Sequence, residues 1–322
     1  MNPILLDTQV QIYLLSEAIL YLLMIPAFLI SLKIIPKWDF GSFSQEQYAL
    51  EREAYLVMTI LIFAFVMKFL LLPYFVFAID NLNTLVPGAM CAAGVISANS
   101  YGMPLLFVKL FLVFALILWM AVNHYDLEAK NYPWFRIKMW IFIAIFIVAS
   151  VELWLDFSYF LDIDPTRPVS CCSALFGQLE GANPLPFGLD IEKLLILFYL
   201  SWSLIVFAHY TGQTLAKLLA TLLFVYISYY AVVYFFGTYV YELPTHKCPF
   251  CMMQKEYHYA GYLIWATLFG GSFGTMAASI CKIFLKVDTG KMESLSFAML
   301  NLFTLTVSLY PLVYRLQNGV WL

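Results

Sequence analysis

The chain predicts an all-α polytopic membrane protein, a single integral domain over 1–322 built as a bundle of about eight transmembrane helices. Three observations lead there. Hydrophobic residues make up 63% of the 322 and charged residues only 11%, with a mean hydropathy of +0.84. A water-soluble domain cannot hide that much apolar surface, whereas a bilayer solvates it. Several apolar runs also reach the roughly 20 residues a helix needs to cross hydrocarbon, and charged or Pro/Gly-rich breaks separate them. Net charge is −3 with no basic tract, so lipid is the expected partner and nucleic acid is not.

The first span falls near 10–35. The preceding "MNPILLDTQVQIYLL" has neither a basic leader nor a small-residue cleavage site close after the apolar stretch, so it reads as a retained helix. The second, near 54–80, follows "QEQYALERE" and holds Lys68 within "FVMKFLLLP". The third, near 103–123, follows a loop with Cys91 and carries Lys109; the fourth, near 135–160, carries Glu152 and Asp156. A long loop with Cys171 and Cys172 leads to the fifth span near 189–210, with Lys193 close to its start. The sixth, near 214–241, contains the aromatic run "VYISYYAVVYFFGTYVY". "HKCPFCMMQKEY" then precedes the seventh, near 256–281, and the eighth lies near 293–314.

Positive charge divides unevenly between the two sets of loops. Odd-numbered connections carry Lys33, Lys37, Arg52, Lys130, Arg136, Lys138, Lys217, Lys282, Lys286 and Lys291. Even-numbered ones and the C-terminal tail carry Arg167, Lys247, Lys255 and Arg315. The excess places the odd loops in the cytoplasm and both termini outside. Cys91, Cys171, Cys172, Cys248 and Cys251 then share the outer side, where thiols can be oxidised and stay so, while Cys281 ends span seven inside. The expected location is a prokaryotic cytoplasmic membrane with the cysteine loops on its outer face. A weak internal repeat, 54–123 against 135–210, has each half descend from a span, pass cysteine, Ala-Asn and Pro, and enter the next span beside a lysine.

The pair Cys248–Pro249–Phe250–Cys251 is expected at the start of span seven, where helix-end amides and the flanking Lys247 and Lys255 favour thiolate. Its spacing suits a disulfide or a shared metal ion equally. "CPFCMMQK" resembles the C-x-x-C-x-x-Q-R stretch of the disulfide-bond oxidoreductase B family, quinone-linked membrane thiol oxidases, with vitamin K epoxide reductase relatives as the wider comparison. The match covers Cys248, Cys251, Gln254 and, with lysine for arginine, Lys255. The resemblance implies a redox pair at Cys248 and Cys251, a quinone cofactor, and Lys255 stabilising the charge formed on it. It also implies a second, outer pair, for which Cys171 and Cys172 stand here; a vicinal disulfide is strained and labile. The family has four spans, with the motif opening its second.

Three readings therefore stand side by side. The first is a thiol–disulfide oxidoreductase using Cys248, Cys251, Cys171 and Cys172 as catalytic residues, with Gln254, Lys255 and His258 at the quinone and an extracytoplasmic thiol protein as partner. The second is a non-enzymatic integral membrane subunit or carrier of a respiratory or metal/haem-handling complex, whose cysteines form structural disulfides that brace the outer loops or join the methionines as soft metal ligands, with His124, His209, His246 and His258 as haem candidates. The third is a transporter using Lys68 and Glu152, whose structural counterpart is an interhelical ion pair. Lys109 and Lys193 are expected to snorkel to the outer surface. Gly270 and Gly274 form a G-x-x-x-G face for close helix packing.

Overall fold

The computed structural model describes residues 3–39, 41–42, 44–169, 185 and 188–322. Among them the regular structure is helical, with no strand. Eight helices are long and apolar enough to cross a membrane. They are α1 (Thr8–Lys37), α2 (Gln45–Asn81), α3 (Gly102–Glu128), α4 (Phe135–Leu161), α5 (Ile191–Tyr210), α6 (Thr214–Ala231), α7 (Ala260–Phe284) and α8 (Gly290–Asn318). A π-turn, Val232–Phe236, and a last turn, Gly237–Tyr241, continue α6. Outward faces carry large apolar side chains such as Leu22, Phe107, Trp154, Phe207 and Leu219, as lipid-solvated helices do.

Local chemistry sets the ends. Asp7 caps α1 by accepting from the Gln9 and Val10 amides at 2.9 and 3.1 Å. Ser44 caps α2 by accepting from Gln47 N at 3.2 Å, the serine–glutamine spacing of a capping box. That cap draws the charged "QEQYALERE" into helix, so α2 begins at Gln45, well before the apolar run. Arg52, assigned to a loop by hydropathy, is helical. Gly212, at φ +70°, turns α5 into α6, and Gly319, at φ +76°, closes α8 by donating to Arg315 O at 2.8 Å.

The chain divides into two compact units. Unit 1 comprises Met1–Pro87 and Ile96–Arg167 and contains α1–α4. Its helices pack consecutively, and α1 also meets α4. Unit 2 comprises Pro168–Leu322 with α5–α8, together with the eight-residue segment Gly88–Val95. Within it α5 packs on α6, α6 on α7 and α7 on α8. The α7–α8 seam runs over Gly270, Gly271 and Gly274. A Cβ on Gly271 would lie 2.9 Å from Leu300, and Cβ atoms on the other two would strike Met299 and Ser296.

Two expectations change. The seventh helix starts at Ala260, nine residues after Cys251, because His258 and Tyr259 adopt left-handed conformations (φ +56° and +57°) that no helix continues. The CPFC pair therefore does not stand on a helix tip. Lys109 does not snorkel either: it is buried, among carboxylates of α4.

Candidate functional site

Unit 2 gathers cysteine. Cys91, in the Gly88–Val95 segment, brings its sulfur to 3.6 Å from that of Cys248. One sulfur each from Cys91, Cys248 and Cys251 lie within 4.8 Å of one another, and all three side chains are buried. Each position has a local cause. Gly88, at φ +82°, passes so close to the Val169 carbonyl that a Cβ would sit 2.5 Å from it, and the chain then closes a short helix, Ala92–Ile96. The Cys91 carbonyl accepts from Gly94 N at 3.0 Å, fixing the residue at the head of that turn.

The CPFC loop is pinned from two helices. Tyr241, ending α6, donates its hydroxyl to the Cys248 carbonyl and accepts from Met252 N at 3.0 Å. Trp265 of α7 donates from Nε1 to the Pro249 carbonyl at 3.1 Å. Cys251 opens a single 3₁₀ turn, Cys251–Met253. That turn nests against Gly261, where a Cβ would lie 2.6 Å from Met252 Cγ, and Gly237, where it would lie 3.3 Å from Met252 Cε. The π-turn preceding Gly237 widens α6 just where the loop packs, a usual place for such turns in functional regions.

The residues that the resemblance would place at a quinone distribute differently. Gln254 donates from Nε2 to the Met90 carbonyl at 3.2 Å, so its visible role is to tie the CPFC loop to the neighbour of Cys91. Lys255 and His258 are exposed. Burial, then the charge of a Cys251 thiolate and of Glu256, raises the Tyr257 phenol above its ordinary value and keeps it a proton donor. Cys171 and Cys172 lie outside the described residues. Cys281 is buried within α7. His209 stacks on Phe297 with ring centroids 4.0 Å apart, and His246 packs edge-on against Tyr241 at 4.3 Å.

Unit 1 gathers charge instead. Lys68 of α2 contacts Glu152 at 2.5 Å, the pairing expected from depth, and also Glu17 of α1. Lys109 of α3 contacts Glu152 and Asp156, each at 2.9 Å. The Tyr13 hydroxyl of α1 lies 3.0 and 3.1 Å from the two Asp156 oxygens and 3.4 Å from Glu17 Oε1, and it accepts from Lys109. None of these six side chains is more than 6% exposed. Glu17 and Tyr13 escaped the sequence reading, although a carboxylate four residues from a tyrosine inside "YLLSEAILYLL" was a usable signal. Further along, Lys138 pairs with Asp126 at 2.7 Å, and in unit 2 Lys217 pairs with Glu293. Comparison of the chain with protein-family models, curated proteins and solved structures finds no match.

Proposed function

We propose that this chain is a membrane thiol–disulfide oxidoreductase that passes electrons from outer-face thiols to a membrane quinone. The observation that carries the reading is the approach of Cys91 to Cys248 at 3.6 Å beside Cys251. Exchange requires one thiolate to attack one sulfur of a disulfide while the other leaves. With three sulfurs in mutual reach, Cys248 can alternate between Cys251 and Cys91 as partner. In the forward cycle the Cys171–Cys172 dithiol, reduced by the partner's dithiol, attacks the Cys248–Cys251 disulfide, becomes a disulfide itself, and leaves two thiols behind. A quinone beside the loop would accept the two electrons and two protons of those thiols, with Cys248 and Cys251 returning to the disulfide.

Burial of all three sulfurs argues against direct attack by a large protein thiol. Cys171 and Cys172 are the exchanging pair in this scheme, relaying electrons from the partner to the buried site. The resemblance at Gln254 and Lys255 supports a quinone beside the CPFC loop, and exposed Lys255 and His258 suit charge and proton delivery at a membrane interface. The charge asymmetry of the loops supports an outer location for this loop and for both termini. Thiol titration with and without reductant, followed by single-turnover quinone reduction, tests the reading. Cys248→Ser should abolish turnover, and full activity in that variant would exclude the scheme.

A second reading rests on the same convergence. Three buried cysteine sulfurs, with Met252 next in sequence to Cys251, form a soft donor set suited to Cu(I), or to Zn with a fourth ligand. Stoichiometric metal in purified protein, lost in Cys91→Ser, would favour a metal carrier over the redox cycle.

A further inference from the structure

The buried charges of unit 1 close into a ring. Glu17 meets Lys68, Lys68 meets Glu152, Glu152 meets Lys109, Lys109 meets Asp156, and the Tyr13 hydroxyl bridges Asp156 back to Glu17. Four helices supply it: Tyr13 and Glu17 from α1, Lys68 from α2, Lys109 from α3, Glu152 and Asp156 from α4. Tyr159, one turn beyond Asp156, is the remaining titratable group that bears on it. Three carboxyl groups thus face two ammonium groups. Fully ionised, the ring would hold one uncompensated negative charge in a low-dielectric interior, and a buried group in that position takes up a proton instead.

We propose that unit 1 is a proton-binding site: its ring holds one exchangeable proton, shared between Glu17 and Asp156 through Tyr13. Glu152 touches both lysines, at 2.5 and 2.9 Å, and is the best-compensated carboxylate. Glu17 and Asp156 each touch one lysine and share the tyrosine hydroxyl. The extra proton therefore belongs to one of these two. Transfer between them is a paired hop in which Glu17 gives its proton to the Tyr13 oxygen while the tyrosine O–H goes to Asp156. No atom or charge is left over, and the ring returns to the same composition. A cavity of about 10 Å³, bordered by Glu17, Lys68, Lys109 and Glu152 with Leu72 and Leu112, adjoins the ring. That is close to the room one water needs, so a water can carry the proton in or out. A sealed ion pair of matched charge would have no proton to exchange. The odd carboxyl makes this one a loading site, and the proposal stands on unit 1 alone, independent of the cysteine chemistry.

Infrared difference spectroscopy of the full chain in lipid vesicles tests it. At neutral pH the wild type should show one protonated-carboxyl C=O band, shifted in ²H₂O and unchanged when sodium is replaced by choline. Glu17→Gln and Asp156→Asn each leave two carboxylates for two lysines, so each should lose the band completely. Tyr13→Phe keeps all three carboxyls and should keep the band while slowing its deuterium exchange. It also serves as the readout if either amide variant fails to fold. Absence of the band in wild type, its persistence in either amide variant, sodium dependence, or unaltered exchange in Tyr13→Phe would each overturn the proposal.

Discussion

Units 1 and 2 each bundle four apolar helices, yet they give their interiors opposite chemistry. Unit 1 fills its mid-span core with ionisable groups, with Lys68, Lys109, Glu17, Glu152 and Asp156 all buried. Unit 2 packs its mid-span core with aromatic rings and small residues: Phe198 packs on Phe224, Phe236 and Phe303, and α7 meets α8 along a glycine face. Three of its thiols sit instead in the loops, where CPFC meets Cys91. Lipid does not drive helices together as water does, so specificity has to come from close packing or from polar contacts. Unit 2 uses the first and unit 1 the second. A ring that also carries an odd carboxyl can exchange a proton, whereas a glycine seam can only hold.

The contrast breaks first at Glu152. Its carboxylate serves both lysines, and Glu152→Ala should remove two charge-assisted hydrogen bonds at once, leaving Lys68 with Glu17 alone and Lys109 with Asp156 alone, at about 3–5 kcal/mol. Denaturant or thermal unfolding in detergent should show loss of most of the folded unit. In unit 2 the matching attack is steric. Gly271→Val forces a branched side chain into space where a Cβ already lies 2.9 Å from Leu300, at about 1–3 kcal/mol by the same unfolding measurement.

Subtler changes sharpen the difference by touching reactivity before stability. Tyr241→Phe removes the donor to the Cys248 carbonyl and the acceptor for Met252 N, at about 1 kcal/mol per hydrogen bond. Alkylation of Cys248 should then speed up by roughly thirtyfold, since about 2 kcal/mol of easier opening corresponds to that factor. Unchanged alkylation would mean that Trp265 and Gln254 hold the loop alone. The smallest effect belongs to Lys33→Ala. The Lys33–Glu53 pair, at 2.7 Å, has side chains 54% and 32% exposed, so its loss should cost less than about 1 kcal/mol. A larger shift would make surface charge, and not the buried ring, the organiser of unit 1.

Much of this was readable along the chain. All eight helices follow from apolar run length, and the Lys68–Glu152 contact follows from matching depths counted along two spans. The G-x-x-x-G face of α7 packs on α8, as small residues at that spacing imply. Other features depended on signals that hydropathy does not register. A serine–glutamine cap starts α2 early, and two left-handed residues delay α7, which removes the helix-end argument for CPFC. Lys109 looked like a snorkelling lysine because its partners, Asp156 and Tyr13, lie 47 and 96 residues away.

What the sequence by itself determined is therefore the set of membrane-length helices and the chemical types available to them. Both are local quantities, read from about 20 residues at a time against a slab about 30 Å thick. Tertiary structure alone decided which groups meet. Tyr13 reaches Asp156 across 143 residues and Cys91 reaches Cys248 across 157. Such meetings depend on how each helix is rotated about its axis and where each loop turns back. Run length and composition are blind to both.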